Sequence, residues 1–242
     1  MRLNFLFNIF NVAVTFFIIL TTPLYGNEFF TINTADKPPY STPSINGIYD
    51  QIILKLFNSL EIKVQINHLK SARSIENVNV GIDDAEYARI EGLCAQYKNI
   101  RMVNEKLIDF EFTAFSKNSA ITITNWNTLK DYHIAFIRGW KIYENNADAF
   151  KSKILVSSEK DLFQLIEKDR VDIILYELLR GFDHIKKQNI NDIFNLKAPL
   201  SVRGMYLYVN KKHEKMIPLL ENGLRVMKKK GDYDTIIKTF IP

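Results

Sequence analysis

Residues 29–66, FFTINTADKPPYSTPSINGIYDQIILKLFNSLEIKVQI, contain the pattern that decides the fold. Residues 29–34 are predicted to form a strand, and the prolines that follow predict an extended loop. Apolar residues then recur at intervals of three to five over residues 48–60, which predicts an amphipathic helix. Residues 62–66 alternate apolar and polar side chains and predict a second strand. A strand–helix–strand unit of this kind implies a parallel sheet with a right-handed crossover.

The same alternation of strands and helices recurs in the second half of the chain. The predicted elements are strands at 133–139, 153–156 and 171–176, and helices at 140–150 and after the capping box Ser158-x-x-Asp161. Two alternating aromatic strands, 110–116 and 205–209, lie between and after these units, and a helical region at 214–230 follows. Two α/β lobes joined by two crossing strands would explain this order.

The N-terminus has the pattern of a signal peptide. A positive start at Arg2 precedes an apolar run over residues 5–20, and a small residue, Gly26, follows Pro23. A membrane-spanning helix needs about 20 apolar residues, more than this run contains. We therefore expect residues 1–26 to be cleaved during export, with an uncleaved N-terminal anchor as the alternative.

Composition excludes several classes of protein. With 242 residues, 47% hydrophobic and 24% charged, the chain is expected to be globular rather than disordered. The 32 Lys and Arg residues only slightly outnumber the 27 Asp and Glu residues and are spread along the chain, so no nucleic-acid partner is expected. A single cysteine, Cys94, excludes an intramolecular disulfide. Common catalytic and phosphate-binding motifs are missing and the four histidines lack metal-ligand spacing, so no metal or cofactor is expected.

Polar groups at the ends of apolar strands remain as candidates for a binding site, because ligands of open α/β sheets bind at the carboxyl ends of the strands. Three positions of this kind are Arg138-Gly139-Trp140, Tyr176-Glu177 and Tyr40. An arginine for a carboxylate and a glutamate for an ammonium would together form an amino-acid site. The alternative is that Trp140 packs in the core, Arg138 pairs on the surface and Glu177 only begins the next helix.

Several motifs along the mature chain add a family resemblance. They are Pro38-Pro39-Tyr40, Gly47-Ile48-Tyr49-Asp50, Gly81-x-x-Asp84, Ala88-Arg89-Ile90-Glu91-Gly92-Leu93, Gln96-Tyr97, Trp126-x-x-Leu129-Lys130, Ile137-Arg138-Gly139-Trp140-Lys141, Val171-Asp172 with Glu177, and Met227-Lys-x-x-Gly231-x-Tyr233-x-x-Ile236. In this order they resemble the family 3 extracellular solute-binding proteins of bacterial uptake systems, and within that family a less characterised subgroup. The resemblance runs from about Phe30 to the C-terminus.

The resemblance implies a class II periplasmic-binding-protein fold, with two α/β lobes, two crossover strands as a hinge and a ligand enclosed between the lobes. Lobe 1 would comprise residues 27–112 plus 206–242, and lobe 2 residues 113–205. In amino-acid-binding members an arginine binds the α-carboxylate and an acid binds the α-amino group. Glu177 occupies the place of that acid. Arg89 follows Asp84 closely, and the threonine that stands a few residues before the family's arginine is absent here.

The expected ligand-binding residues combine both arguments: Tyr40, Arg73, Asp84, Arg89, Arg138, Gly139, Trp140, Tyr176 and Glu177. The resemblance implies a periplasmic, monomeric solute-binding protein rather than an enzyme. It would capture a small polar ligand, an amino acid or a related organic acid, by hinge closure and deliver it to an ABC-type permease. Two alternatives stay open: a dehydratase-like periplasmic enzyme with Glu177 as its acid, and a ligand-sensing partner of a membrane receptor.

Overall fold

The structure is a computed structural model that describes residues 29–240. The predicted signal peptide lies outside the described residues. Within residues 29–240, no helix combines the length and the apolar character needed to cross a membrane.

Residues 29–240 form nine strands and seven α-helices. The strands are β1 (Phe30–Thr34), β2 (Val64–His68), β3 (Ala85–Arg89), β4 (Ile100–Met102), β5 (Ile108–Ser116), β6 (His133–Ile137), β7 (Ser152–Val156), β8 (Ile173–Glu177) and β9 (Phe194–Asn210) among the described residues. The helices in the same part of the chain are α1 (Ile48–Ser59), α2 (Ser71–Asn79), α3 (Lys141–Glu144), α4 (Glu159–Glu167), α5 (Leu178–Lys187), α6 (Ile217–Lys229) and α7 (Asp232–Lys238).

The first lobe is built on β1, which pairs in parallel with β2 on one side and with β3 on the other. The C-terminal part of β9 pairs antiparallel with β3 and β4. In the second lobe, β6 pairs in parallel with β7 and β8, and β8 pairs antiparallel with β5. Each lobe is therefore a mostly parallel sheet with crossover helices.

Strands β5 and β9 carry the chain between the lobes. They form a long antiparallel ladder from Ile108 opposite Met205 to Ser116 opposite Phe194. The strand order is β2-β1-β3-β9-β5-β8-β6-β7, with β4 also on β9. The predicted α/β fold, two lobes joined by two crossing strands, is confirmed, while the exact lobe boundaries stay a prediction.

Helix α1 shows why the local prediction succeeds. Its apolar stripe, including Ile52 and Leu56, is fully buried against the first sheet. The Asp50 carboxylate accepts the Gly47 N–H at 2.9 Å and thereby caps the first turn. A Cβ atom at position 47 would lie 2.5 Å from the Tyr40 carbonyl oxygen, so only glycine fits where the loop meets the helix.

Two predicted helices are shorter than their sequence patterns suggest. The helix expected at 140–150 is only the four-residue α3, followed by a 3₁₀ turn at Ala147–Ala149. Residues 211–216 form a 3₁₀ helix, and α6 itself begins at Ile217. Helix α2 and strand β3 were not predicted. Helix α2 is a short polar segment that buries only Ser74, Ile75 and Val78, so its apolar periodicity is weak.

Candidate functional site

The carboxyl ends of β1, β2 and β3 meet at one edge of the first sheet, where two adjoining pockets lie. The larger pocket has a volume of about 560 Å³, within the usual range for small-molecule sites. Its lining is Thr34, Ala35, Asp36, Lys37, Pro38, Ser41, Pro43, His68, Leu69, Lys70 and Ser71. The smaller pocket, about 190 Å³, is lined by Ala35, Asp36, Ser71, Tyr87, Ala88 and Arg89. Shared lining residues make the two pockets one candidate ligand cleft on the first lobe.

Arg89, at the end of β3, is held in place by two elements of the first lobe. Its Nε donates to Glu86 Oε1 at 2.7 Å, and its two terminal nitrogens donate to the Ser71 side-chain and backbone oxygens at 2.7 Å each. Glu86 is fully buried and also accepts from the Ser74 hydroxyl at 2.6 Å. Burial raises the pKa of Glu86, against the opposing effect of Arg89. The arginine is thus positioned rigidly at the cleft, with its charge balanced by a buried acid.

An ion pair crosses from the first lobe to the second beside this cleft. The Arg180 guanidinium on α5 donates to Asp36, just after β1, at 2.9 Å. Only 16% of the Asp36 side chain and 21% of the Arg180 side chain are exposed. Burial raises the pKa of Asp36, although Arg180 acts in the opposite direction. The guanidinium also lies over the rings of Tyr40 and Phe110, at 5.6 and 5.7 Å from their centres.

A second contact between the lobes joins Tyr40 to Glu177. The Tyr40 hydroxyl donates to Glu177 Oε1 at 2.5 Å, and both residues are fully buried. The Glu177 carboxylate also accepts the backbone N–H groups of Leu179 and Arg180, at 3.1 and 3.0 Å, and so caps α5. Burial raises the pKa of Glu177 to about 7 in spite of these hydrogen bonds.

A polar cluster forms one wall of the larger pocket. The Ser41 hydroxyl contacts Asp50 Oδ1 at 2.5 Å and His68 Nε2 at 2.8 Å, and Tyr87 also donates to Asp50 Oδ1 at 2.5 Å. Asp50 therefore lies directly against the serine rather than behind the histidine. The cluster does not have the serine–histidine–acid order of a nucleophilic triad.

Of the nine predicted site residues, Arg89 alone lines either of these two pockets. Tyr40 stacks on Tyr49 and Phe110, with ring centres 5.0 and 5.3 Å apart, and is not an aromatic wall of the cleft. The expected contact of Glu177 with a ligand ammonium stays a prediction, and Glu177 lines neither of these two pockets. The carboxylate is fully buried, and hydrogen bonds within the chain occupy both of its oxygens.

Trp140 and Tyr176 pack in the core of the second lobe and line neither of the two pockets. The Trp140 ring stacks on Tyr143 with ring centres 5.7 Å apart, and it lies 5.2 Å from the ring of Tyr176. The Tyr176 hydroxyl donates to Glu159 at 2.6 Å, on the side of α4. The alternative considered for Trp140, packing in the core, is the one that this geometry supports.

Three more of the predicted site residues, Arg138, Gly139 and Arg73, do not line these two pockets. Arg138 is exposed after β6, and the Gly139 N–H donates to Glu144 at 2.7 Å. Arg73 is exposed on α2. No hydrogen bond or ion pair among the described residues joins Arg138, Gly139 or Arg73 to Arg89.

Asp84 lies at the opposite edge of the first sheet, just before β3 begins. Its carboxylate accepts the Thr31 backbone N–H at 2.9 Å and contacts His213 and Lys212 at 2.7 Å each. Burial alone would raise the pKa of Asp84, but the hydrogen bonds from Lys212, Thr31 and His213 outweigh it and lower the pKa to about 2. Asp84 therefore ties β1, β3 and the start of the final helical region together and does not contact the cleft.

We expect Asp84→Asn to lower the free energy of unfolding by about 1–2 kcal/mol at pH 7. Because the folded pKa lies below the unfolded value of 3.8, this contribution is present above about pH 4 and is lost as the pH falls towards 2. Urea denaturation at pH 7, 4 and 3 measures it. Asp148→Asn, at a fully exposed side chain, is the control and should change little. Equal stability of Asp84→Asn and the parent at pH 7 would contradict this role.

Sequence reasoning missed five residues of the cleft: Asp36, Lys37, His68, Lys70 and Ser71. All follow or end β1 and β2, so the strand-end rule applied to Tyr40 could have found them. Lys70 and Ser71 were obscured because α2 was not recognised. Arg180 had no local signal, since its partner Asp36 is 144 positions away.

Comparison with known protein sequences gives a distant relative but no family. No protein-family model matches the chain. An uncharacterized protein from Shewanella oneidensis is 26% identical over 176 residues, and this match covers 69% of the chain and 64% of the relative. The chain thus spans less than two thirds of that relative's length.

Solved structures with this fold are numerous. The second substrate-binding domain of GlnP from Lactococcus lactis, in an open conformation, has a TM-score of 0.67 at 14% identity, covering 88% of this chain and 95% of that one. An ancestral cationic amino acid solute-binding protein has a TM-score of 0.71 at 18% identity, with 88% and 96% covered. The GluR0 ligand-binding core in complex with L-glutamate has a TM-score of 0.69 at 9% identity, with 89% and 99% covered.

These similarities define the class of fold. The chain has the periplasmic-binding-protein fold, and the resemblance to family 3 solute-binding proteins is confirmed at the level of the fold. The named neighbours are a substrate-binding domain, a solute-binding protein for cationic amino acids and a ligand-binding core in complex with L-glutamate.

Proposed function

We propose that this protein is a periplasmic solute-binding protein that captures a small polar solute, an amino acid or a related organic acid, between its lobes. It would be exported with residues 1–26 as a cleaved signal peptide and deliver the solute to an ABC-type permease. One neighbour with the same fold is a ligand-binding core in complex with L-glutamate, and another is a cationic amino acid solute-binding protein, which supports the proposal.

The observation that carries the proposal is the position of the two pockets. They lie at the carboxyl ends of three parallel strands, where such folds bind ligands, and Arg89 is fixed within the smaller one. The interlobe ion pair of Asp36 and Arg180 lies at the same edge. Every residue in the described lining of these two pockets belongs to the first lobe. A ligand held there would contact the second lobe on closure, and its greater affinity for the closed arrangement would drive that motion.

The geometry favours binding over the enzymatic alternative. Glu177 was the acid named for a dehydratase-like reaction, and it is fully buried with its oxygens occupied by Tyr40 and the start of α5. A general acid must reach the atom that it protonates. Glu177 does not line the pocket that holds Arg89.

A thermal-shift screen of the mature protein against small metabolites, followed by calorimetry, tests the proposal. A ligand at a hundred times its dissociation constant adds about 2.7 kcal/mol of stability. We expect Arg89→Lys, which keeps the charge but loses the guanidinium fork, to weaken binding about tenfold. Ala35→Phe should fill the space shared by both pockets and weaken binding by at least tenfold.

The matched control is Arg170→Gln, an exposed arginine at the amino end of β8, which should bind like the parent. Melting temperatures of the free variants separate loss of binding from loss of folding. The site assignment fails if Ala35→Phe folds and binds the ligand with the parent's affinity. Uptake of the labelled ligand by cells with and without the gene then tests transport against sensing.

A further inference from the structure

Two lysines in the larger pocket carry charges that the protein itself does not balance. Lys37 follows β1, Lys70 precedes α2, and both line the pocket of about 560 Å³. Both side chains are exposed, and neither forms an ion pair within residues 29–240. They reach the pocket from two different loops and therefore flank the same space.

Arg89 in the cleft and Arg180 beside it differ from these lysines, because each already has an acidic partner. Arg89 is paired with the buried Glu86, and Arg180 is paired with Asp36 across the lobes. Asp36 is also the only carboxylate in the described lining of either pocket. Among the lysines and arginines that line the two pockets, Lys37 and Lys70 are therefore the ones without an acidic partner.

A ligand without net charge would leave these two ammonium groups without a counter-charge, whereas an anionic group in the pocket that both lysines line would be attracted by both. Unit charges 4 Å apart attract by about 1 kcal/mol in bulk water and by more in a partly desolvated cleft. Like charges along a cleft also concentrate ligands of the opposite sign and speed their association.

We propose, on the basis of the proposed function, that the ligand is a small organic acid with a net negative charge, and that an acid group of it lies between Lys37 and Lys70. Arg89, whose charge Glu86 balances, contributes its guanidinium fork to the adjoining pocket rather than net charge. Selection for acidic over neutral or cationic solutes is then set by the two loops that follow β1 and β2.

The first test compares probes of similar size and different charge. Calorimetry with glutamate and glutamine, aspartate and asparagine, succinate and lysine measures their affinities at low salt. Glutamate and aspartate should bind at least tenfold more tightly than glutamine and asparagine, respectively, and lysine should not compete. Raising the salt concentration should weaken binding of the acid more than binding of the amide.

The second test removes the two charges. The double variant Lys37→Gln/Lys70→Gln should lose at least tenfold in affinity for the acid and most of the salt dependence. Lys229→Gln/Lys230→Gln, at exposed residues near the end of α6, removes the same charge elsewhere and should bind like the parent. Melting temperatures check that both double variants fold.

The outcomes separate the inference from the proposed function. If an amide or lysine binds as tightly as the acid, or if the pocket variant keeps the parent's affinity, the inference is wrong while solute binding stands. If neither these probes nor any compound of the metabolite library shifts the melting temperature, the proposed function fails and the inference fails with it.

Discussion

We expect the Glu177→Ala variant to lose about 3 kcal/mol of unfolding free energy. The change removes the cap of α5, worth about 0.5–2 kcal/mol, and leaves the Tyr40 hydroxyl buried without its acceptor, which costs about 1–3 kcal/mol. Both residues are fully buried, so water cannot replace the lost contacts without rearrangement. Chemical denaturation of the parent and the variant measures the difference.

The control for this change is Glu167→Ala, at an exposed glutamate at the end of α4. It should change the stability by no more than about 0.5 kcal/mol. A loss below about 1 kcal/mol in Glu177→Ala would contradict the structural role of this carboxylate, and would leave Glu177 as a candidate for ligand contact.

The same residue predicts how stability depends on pH. Burial raises the folded pKa of Glu177 from 4.5 to about 7, so between these values the folded protein holds a proton that the unfolded chain releases. Stability from this group is therefore greatest below pH 4.5 and falls as the pH rises towards 7, by on the order of 3 kcal/mol. Glu177→Gln cannot titrate, so the difference in stability between the parent and this variant should change over the same range. A constant difference between pH 4.5 and 7 would be the contrary result.

Arg180→Met is the second change with a large expected effect, about 2–4 kcal/mol of unfolding free energy. It leaves the largely buried Asp36 without its partner and removes the guanidinium from the faces of Tyr40 and Phe110. Removing one member of a buried ion pair costs about 3–5 kcal/mol, and partial exposure lowers the figure here. Denaturation at pH 7 measures the loss.

A double-mutant cycle with Asp36→Asn isolates the pair, and we expect a coupling energy of about 1–2 kcal/mol. The matched control is Lys187→Met on the same helix, which removes an ion pair with Asp183 in which the lysine side chain is 58% exposed. That change should cost about 0.5 kcal/mol or less. If Arg180→Met costs no more than Lys187→Met, the pair does not hold the lobes in this arrangement.

The elements that the sequence predicts well are those with strong local signals. Helix α1 was expected at 48–60 and is found at Ile48–Ser59, because its apolar stripe and the cap at Gly47 both lie within the segment. The strands around 133–139 and 171–176 are also found within a few residues of their predicted bounds. In each case the periodicity of burial is encoded by neighbouring residues.

Strand β9 shows what periodicity misses. Only residues 205–209 were predicted, whereas the strand extends over Phe194–Asn210. Its first half contains Lys197 and Pro199 and is half exposed, so it has no clear alternating pattern. Pairing with β5, some 80–100 positions earlier, supplies the hydrogen bonds that extend it.

The residues of the site also divide into those that a local sequence pattern predicts and those that distant contacts decide. By itself the sequence determined two α/β lobes, the order of their elements and a set of polar residues at strand ends, because apolar periodicity and turn residues act over short distances. Tertiary structure decided which of those residues face solvent. In the fold, Glu177 is bonded to Tyr40, 137 positions away, and Asp36 is paired with Arg180. Arg89 and two lysines line the cleft. Whether a charged group binds a ligand or its own chain depends on which distant partner the fold brings within hydrogen-bonding distance, and no local pattern specifies that.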